Sequence, residues 1–321
     1  MAVLIAGFDA GQTHTRCRLA QLQDDNSCRP VASGEGPGVC HLDAPGGEAR
    51  FADALRHSLA AARQELQGPL TLRAAGIGAS GIESGSNVQT RALHLAATVL
   101  GLPEAVLAVS GDEHTALEGA RGPLEAGILL ISGTGCIALG RNAAGQQHRC
   151  GGWGWLLDGA GSAMDIGRDG LALSLQMADG RLPDSGLRLA LWAALEQDPG
   201  AADAPQAIKS LVVQPAFGPA GFARLAPVVH AQAAAGDPQA LAIVQRSADA
   251  LAAMVGAIAT RLELVAPAVW PTGGALTHLP LLRQGLHNAL RQAYPGAQLT
   301  PAQGDGCDGA LRLASQQLRQ R

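Results

Sequence analysis

The 321-residue sequence is long enough for two domains, and 47% hydrophobic with 16% charged residues indicates a globular rather than a disordered chain. A formal net charge of -4, without a basic run, argues against nucleic-acid binding. Six cysteines, none in a Cys-x-x-Cys pair, form neither a metal nor a disulfide framework, so we expect reduced thiols in the cytoplasm. Lys209 is the only lysine and lacks the glycines of a Walker A loop, which excludes a P-loop enzyme.

Neither of the two most apolar segments is predicted to enter a membrane. The apolar run at the N-terminus is short and stops at Asp9, unlike a signal peptide. The most apolar helical segment, residues 250–260, falls short of the ~20 residues that cross a bilayer. We therefore expect a soluble protein.

The first predicted element is a strand–turn–strand unit. Val3 to Phe8 reads as a strand, Asp9-Ala-Gly-Gln-Thr13 as a turn and Arg16 to Leu22 as the returning strand. A loop over 33–38, a helix over 45–67 and a strand over 70–75 follow.

Residues 76–81 match Gly-x-Gly-x-x-Gly literally. A dinucleotide fingerprint requires a helix directly after the glycines, whereas here a second turn, 82–87, comes before the helix that ends at Leu100. A glycine-rich loop after a strand is the favoured interpretation.

Asp112 follows the next predicted strand, 105–109, just where a helix opens. A carboxylate at the end of a strand in an open α/β sheet points toward a ligand site. Asp is also a good N-cap residue, and the local pattern leaves both interpretations open.

A second strand–turn–strand unit lies at the centre of the chain. The buried strand Ile128–Ile131 leads into Ser132-Gly-Thr-Gly135, and Cys136–Leu139 resumes a strand. Glycine-rich turns expose backbone N–H groups that can hold a phosphate, and the Thr134 hydroxyl can add a hydrogen bond. Each turn alone is typical of an ordinary hairpin, but the pair suggests two halves that offer turns to the same phosphates.

A glycine-dense stretch over 148–167 holds Trp153 and Trp155, which can cover the face of a sugar or serve as structural plugs. Residues 187–264 read as helical, with Asp237-Pro238 as a helix start. A strand at 268–270 then leads into Gly273-Gly274, where a flat ligand could enter, and a last helix spans 308–319.

In this order the motifs resemble the N-acetylglucosamine kinase/activator ATPase branch of the actin-like sugar kinases, over nearly the whole chain. The resemblance implies a two-domain α/β fold of the actin-like ATPase type, ribonuclease-H-like in each domain and hinged, with ATP in the cleft. It places the domains at 1–119, with the helix 305–321 packing back on this part, and at 120–304.

The resemblance also implies site residues. Asp112 would be the catalytic base toward the 6-hydroxyl of an amino sugar, N-acetylglucosamine or glucosamine, and Asp9 would lie near Mg2+. The ATP site would comprise Asp9, Gly11, Gln12, Thr13, Gly133, Thr134, Gly135, Gly273 and Gly274, possibly with Ala220. The sugar would meet Asp112, Cys136, Ile137, Gly152, Trp153, Gly154 and Asp158.

In the first phosphate motif, Gln12 stands where a third glycine is usual. Two further departures from the family pattern concern the substrate: Gly159 stands where a sugar-binding aspartate is expected, and Cys40 is nearest to an expected asparagine. Our hypothesis is that Asp158 substitutes for the missing carboxylate, the alternative being a solvated loop residue. An activator ATPase of the benzoyl-CoA reductase type and a non-catalytic sugar sensor are the rival functions, and a homodimer is left open.

Overall fold

The computed structural model describes residues 3–23, 27–66 and 71–319. The chain divides into two compact units: the first holds the described residues up to Leu124 and from Ala302 onward, and the second is Glu125–Pro301. The resemblance led us to predict divisions at 119/120 and 304/305, whereas the units divide at 124/125 and 301/302.

The described residues of the first unit form a five-stranded sheet with four α-helices and one short 3-10 helix, Glu104–Val106. The sheet order is β3-β2-β1-β4-β5, in which β1, β2 and β3 are antiparallel neighbours and β4 and β5 run parallel to β1. The elements are β1 (Val3–Ala10), β2 (His14–Leu22), β3 (Cys28–Pro37), α1 (Gly47–Gln64), β4 (Leu72–Ala79), α2 (Asn87–Leu100), β5 (Leu107–Ser110), α3 (Asp112–Arg121) and, from the end of the chain, α12 (Gly306–Arg319).

The second unit repeats this sheet topology. The order β10-β9-β6-β7-β8 again has three antiparallel strands, β6 to β8, and two strands parallel to the first of them. Its strands are β6 (Gly127–Ser132), β7 (Cys136–Arg141), β8 (Gln147–Gly151), β9 (Ala268–Thr272) and β10 (Gln298–Leu299). Its helices are α4 (Ala163–Ala178), α5 (Gly186–Ala194), α6 (Ala204–Val212), α7 (Gly218–Ala223), α8 (Ala226–Ala234), α9 (Pro238–Arg261), α10 (Gly274–His278) and α11 (Pro280–Ala293).

Hydrophobic periodicity accounts for the main elements. Phe51, Leu55 and Leu59 lie on one face of α1 and are buried in the core of the first unit, as their helical spacing predicts. Residues 67–70, where we placed the end of this helix and the start of the next strand, lie outside the described residues. Asp237 caps α9 through hydrogen bonds from two backbone amides, which confirms that helix start, and the interval predicted to be helical, 187–264, contains the helices α5 to α9.

The loop predicted over 33–38 is wrong, because β3 runs through it. An ideal Cβ on Gly34 would lie 2.2 Å from the backbone nitrogen of Ala62, and one on Gly36 would lie 2.8 Å from that of Ser58. These glycines let the strand approach the backbone of α1. The glycines of this segment, which are typical of a loop, are explained by the close packing of β3 against α1.

Gly76 and Gly78 likewise belong to β4 rather than to a glycine-rich loop. A Cβ on Gly76 would meet the carbonyl oxygen of Ala310 at 1.9 Å, and a Cβ on Gly78 would meet Thr115 Oγ1 at 1.9 Å. The Gly-x-Gly-x-x-Gly match therefore marks where α12 and α3 press against the sheet. It does not open a nucleotide-binding turn.

Helix α9 is longer than the apolar segment that we identified. It spans 24 residues and is long and apolar enough to cross a membrane by length and composition, the one such helix among the described residues. Half of the apolar window is buried, and Leu251, Val255 and Ile258 belong to the core of the second unit. The apolar composition of α9 is therefore explained by its packing inside the second unit, because a buried helix is as apolar as one that crosses a membrane.

The contact between Gly76 and Ala310 yields a stability prediction. We expect Gly76→Ala to lower the free energy of unfolding by about 3 kcal/mol or more, because backbone atoms must shift to admit the methyl group. Chemical denaturation measures this.

Gly200→Ala is the matched control, since a Cβ there would have its nearest neighbour, Asp198 Oδ1, at an ordinary 3.4 Å. Equal stability of the two variants would contradict the packing interpretation.

Candidate active site

Asp112 lies at the carboxyl end of β5 as the first residue of α3. The N-cap residue is Gly111, and no side chain caps the helix. Asp112 Oδ1 instead accepts a 3.0 Å hydrogen bond from the backbone amide of Glu113. The interpretation of Asp112 as a helix cap is therefore wrong, and its carboxylate is available for other chemistry.

The surroundings of Asp112 favour its neutral form. Burial raises the pKa of Asp112 to about 7, and the negative charges of Glu113 and Asp9 add to the effect. None of the described residues forms an ion pair with it. A carboxyl group that titrates near neutral pH is well matched to proton transfer at that pH.

Asp9 sits at the end of β1, two strands away from β5. Its Oδ2 accepts a 2.6 Å hydrogen bond from the Arg16 guanidinium, and the two residues are cross-strand partners. A Cβ on Gly306, at the start of α12, would lie 2.8 Å from Asp9 Cγ. Asp9 is thus held between a cation and a helix start, where anions are favoured. Sequence reasoning missed Arg16, although hairpin register would have placed it opposite Asp9.

The turn after β1 is braced by the segment that follows β3. Val39 donates a 2.9 Å backbone hydrogen bond to the carbonyl of Gly11, and a Cβ on Gly38 would lie 2.1 Å from the carbonyl oxygen of Gln12. The side chains of Gln12 and Thr13 are exposed, and Cys40 is half-buried beside this segment. The turn is therefore fixed in place while its outer face stays open.

The corresponding turn of the second unit, Gly133-Thr-Gly135, is closed by a 2.8 Å backbone hydrogen bond from Gly133 to Gly135. Gly133 also accepts a 2.8 Å hydrogen bond from the amide of Ala163, the first residue of α4. A Cβ on Gly135 would meet nothing within 4 Å, one on Gly133 would find its nearest neighbour at 3.8 Å, and neither residue has a left-handed φ. The fold itself does not require glycine here. The open space suits the close approach of a phosphate to the backbone.

Gly273 and Gly274 follow β9, next to this turn. Gly273 has a φ of 94°, and a Cβ on it would lie 2.3 Å from the Ser132 carbonyl oxygen, so the fold requires a glycine. Gly274 faces open space, and its amide nitrogen is the nearest atom to a Cβ on Gly133. The two predicted nucleotide motifs of this unit are therefore neighbours.

Ala220 is exposed in α7 and lines a cavity of about 350 Å3 together with Phe217 and Arg224. Its part in adenosine binding stays a prediction.

The predicted sugar residues of the second unit lie at or just after the paired ends of β7 and β8. Ile137 pairs with Gly151, and a Cβ on Gly152 would lie 2.8 Å from Ile137 Cδ1. Trp153 is 62% exposed, so it is not a structural plug. Arg149 holds this segment: its guanidinium lies 4.7 Å from the Trp153 ring centroid and donates to the carbonyls of Gly151 and Gly152. Arg149 was missed because β8 was not predicted.

Asp158 is half-buried at the end of a turn in which its amide donates to the Gly154 carbonyl. Its Oδ2 lies 3.2 Å from the position of a Cβ on Gly151. Burial, and then the charge of Asp158, raises the pKa of the Cys136 thiol to about 12. Asp158 therefore faces the β7–β8 edge instead of bulk solvent. Gly159 is buried, and a Cβ there would meet the end of Met164.

The chain matches the BadF/BadG/BcrA/BcrD ATPase family over residues 6–314. It belongs to this family. The family resemblance of the motifs is thereby confirmed.

Two relatives with named activities are similar to this family member. It is 31% identical over 200 residues to the N-acetyl-D-glucosamine kinase of Dictyostelium discoideum, 59% of each chain. It is 27% identical over 208 residues to the N-acetylmuramic acid/N-acetylglucosamine kinase of Clostridium acetobutylicum, 64% of this chain and 66% of the relative. The matched region spans less than two thirds of each relative.

A solved structure of a proposed N-acetylglucosamine kinase from Chromobacterium violaceum is 30% identical. It superimposes with a TM-score of 0.75 and covers 98% of this chain and 99% of its own. The α/β fold of the actin-like ATPase type is confirmed by this similarity and by the two repeated five-stranded sheets.

The half-buried carboxyl of Asp112 yields a pH-dependent stability prediction. Its pKa in the folded chain, about 7, lies above the ordinary value of about 3.9, so its favourable contribution is complete below about pH 4 and is lost as the pH rises through 7. Asp112→Asn cannot ionise and should escape this loss. We expect its melting temperature, relative to wild type, to increase between pH 4 and pH 8.

Glu113→Gln is the companion variant. It removes a negative neighbour, so the pKa of Asp112 in the folded chain should fall, and the loss of stability with rising pH should be smaller and end at a lower pH than in wild type. A pH-independent difference between Asp112→Asn and wild type would contradict the raised pKa.

Proposed function

We propose that this ATPase-family member is a sugar kinase that transfers the γ-phosphate of ATP to the 6-hydroxyl of an amino sugar, N-acetylglucosamine or glucosamine. The observation that carries the proposal is the Asp112 carboxyl, which ends a strand, lacks a cationic partner among the described residues and has its pKa raised to about 7. The names of the two kinase relatives support the choice of sugar.

In this mechanism Asp112, in its ionised form, accepts the proton of the sugar hydroxyl as that oxygen attacks the γ-phosphate. Thr13 and Thr134 donate to phosphate oxygens, with the backbone amides of the two glycine turns. Gly273 and Gly274 border the adenosine. The space beside Gly135 and Gly274 is what a ligand close to the backbone requires.

Mg2+ fits Asp9 by donor chemistry. Magnesium bound with a nucleotide takes one or two carboxylates and keeps waters and phosphate oxygens as its other ligands. Only Oδ2 of Asp9 is used by Arg16. When bound, the ion would neutralise charge on the transferring phosphate. We propose a cytoplasmic enzyme, in keeping with its six unpaired cysteines.

The decisive experiment is an ATP-consumption screen over hexoses and hexosamines, with the phosphorylated carbon assigned by NMR and Asp112→Asn as the inactive control. Turnover that requires N-acetylglucosamine or glucosamine and is lost at least 100-fold in Asp112→Asn supports the proposal. ATP hydrolysis without any sugar would indicate an activator-type ATPase. Sugar binding without turnover would indicate a sensor.

Gly135→Ala tests the phosphate turn. Because the added methyl group meets no protein atom within 4 Å and φ is not left-handed, folding should be unaffected. We expect the ATP KM to rise at least tenfold, since the methyl group occupies the space of the phosphate. Steady-state kinetics and thermal melting measure the two effects.

Gly200→Ala provides the matched control for a tolerated glycine substitution and should change neither quantity. An unchanged ATP KM in Gly135→Ala would remove this turn from the phosphate site.

Asp158→Ala tests the substitute carboxylate. A hydrogen bond to a charged acceptor contributes about 1.5–3 kcal/mol, and 1.4 kcal/mol corresponds to tenfold in affinity. We therefore expect the sugar KM to rise by about one to two orders of magnitude while the ATP KM barely moves. If the sugar KM is unchanged, Asp158 does not read the sugar, and the preference for N-acetylglucosamine loses its support.

A further inference from the structure

A cavity of about 400 Å3 lies in the first unit, away from the residues assigned to catalysis above. The last turn of α3, the segment that leads into α12, one face of α12 and the start of β3 line it, through residues that include Gly119, Gly304, Arg312, Arg319 and Cys28. Asp112 lies at the other, N-terminal end of α3. We call this cavity the Arg312 pocket.

Arg312 is the unusual residue of the pocket. Its Nε atom is buried and has no hydrogen-bond partner, and its guanidinium makes no hydrogen bond or ion pair with any described residue. Burial, and then the neighbouring charge of Arg121, lowers the pKa of Arg312. A buried donor without a partner destabilises the folded chain, so a ligand that supplies an acceptor to Arg312 would bind favourably.

The acidic groups around Arg312 are already engaged. The Glu118 carboxylate accepts a 2.5 Å hydrogen bond from Arg121, and Asp308 accepts hydrogen bonds from Arg18 and from the amide of Asp305. Arg319, which donates to Ser315, adds a second positive charge at the rim. Among the described residues of the pocket, the carboxylates are paired with other arginines, whereas Arg312 and Arg319 have no carboxylate partner. The unpaired charge of the pocket is therefore positive.

We propose that the Arg312 pocket binds a phosphate group, either as inorganic phosphate or as a small phosphate monoester. A guanidinium fork matches two oxygens of a phosphate, and two arginines match its double charge. The cavity exceeds the size of a single water, whose share of liquid volume is about 30 Å3, and leaves room for a small organic group. The bound group would link α3 to α12.

The test measures the melting temperature and binding heat of the full chain with inorganic phosphate and with N-acetylglucosamine 6-phosphate, at constant ionic strength set by sodium chloride. We expect both ligands, or the ester alone, to raise the melting temperature of wild type. Tenfold tighter binding of the ester would identify an ester as the ligand, and equal binding would identify free phosphate.

Arg312→Gln should weaken phosphate binding at least tenfold without lowering the melting temperature of the ligand-free chain, because it removes an unpaired buried charge. Arg319→Gln should weaken binding by a smaller factor. Arg291→Gln, an exposed arginine of α11, is the matched control and should bind as wild type does.

Gly135→Ala separates this pocket from the proposed ATP site. It should keep the phosphate response, whereas a response lost in Gly135→Ala and kept in Arg312→Gln would place the phosphate at the ATP turn and overturn the proposal. No phosphate response above that of chloride would also overturn it.

Discussion

The backbone contact of α12 with β1, β4 and α3 is the constraint on which the candidate catalytic groups depend. A Cβ on Gly7 would lie 2.5 Å from the Cys307 carbonyl oxygen, one on Gly76 1.9 Å from that of Ala310, and one on Gly309 1.8 Å from that of Thr115. The last helix of the chain therefore packs against the strands at backbone distance. It fixes β1, which ends near Asp9, and α3, which begins with Asp112, as parts of one rigid layer.

The repeated sheet topology explains why each unit carries a turn of the same kind. In both sheets the first two strands form a hairpin, and parallel strands lie on the other side of the first one. Ligand sites in such sheets form at the carboxyl ends of the parallel strands, and the hairpin turn lies at that edge. In the first unit this edge holds the turn after Asp9 together with Asp112, and in the second it holds Gly133–Gly135 together with Gly273 and Gly274.

Local patterns predicted what depends on local chemistry. Both hairpins, the cap of α9 by Asp237 and the position of Asp112 after a strand follow from turn residues, capping and hydrophobic runs. What could not be predicted depends on partners distant in sequence: Gly76 reads as a loop residue unless α12 is known to pack on it. The contacts of Arg149 depend on the pairing of β8 with β7, and the sequence of β8 lacks the apolar alternation by which a strand is predicted.

The two carboxylates of the first unit show how charge separates their roles. Asp9 has Arg16 as its ion-pair partner and a helix start beside it. Asp112 also stands at a helix start, but it has no cationic partner among the described residues, and burial and two negative neighbours, one of them Asp9, raise its pKa. Carboxyl groups in such different surroundings are suited to different tasks. Because Arg16 lies opposite Asp9 in the hairpin, its charge reaches that carboxylate directly, and Asp112 remains able to gain and lose a proton near neutral pH.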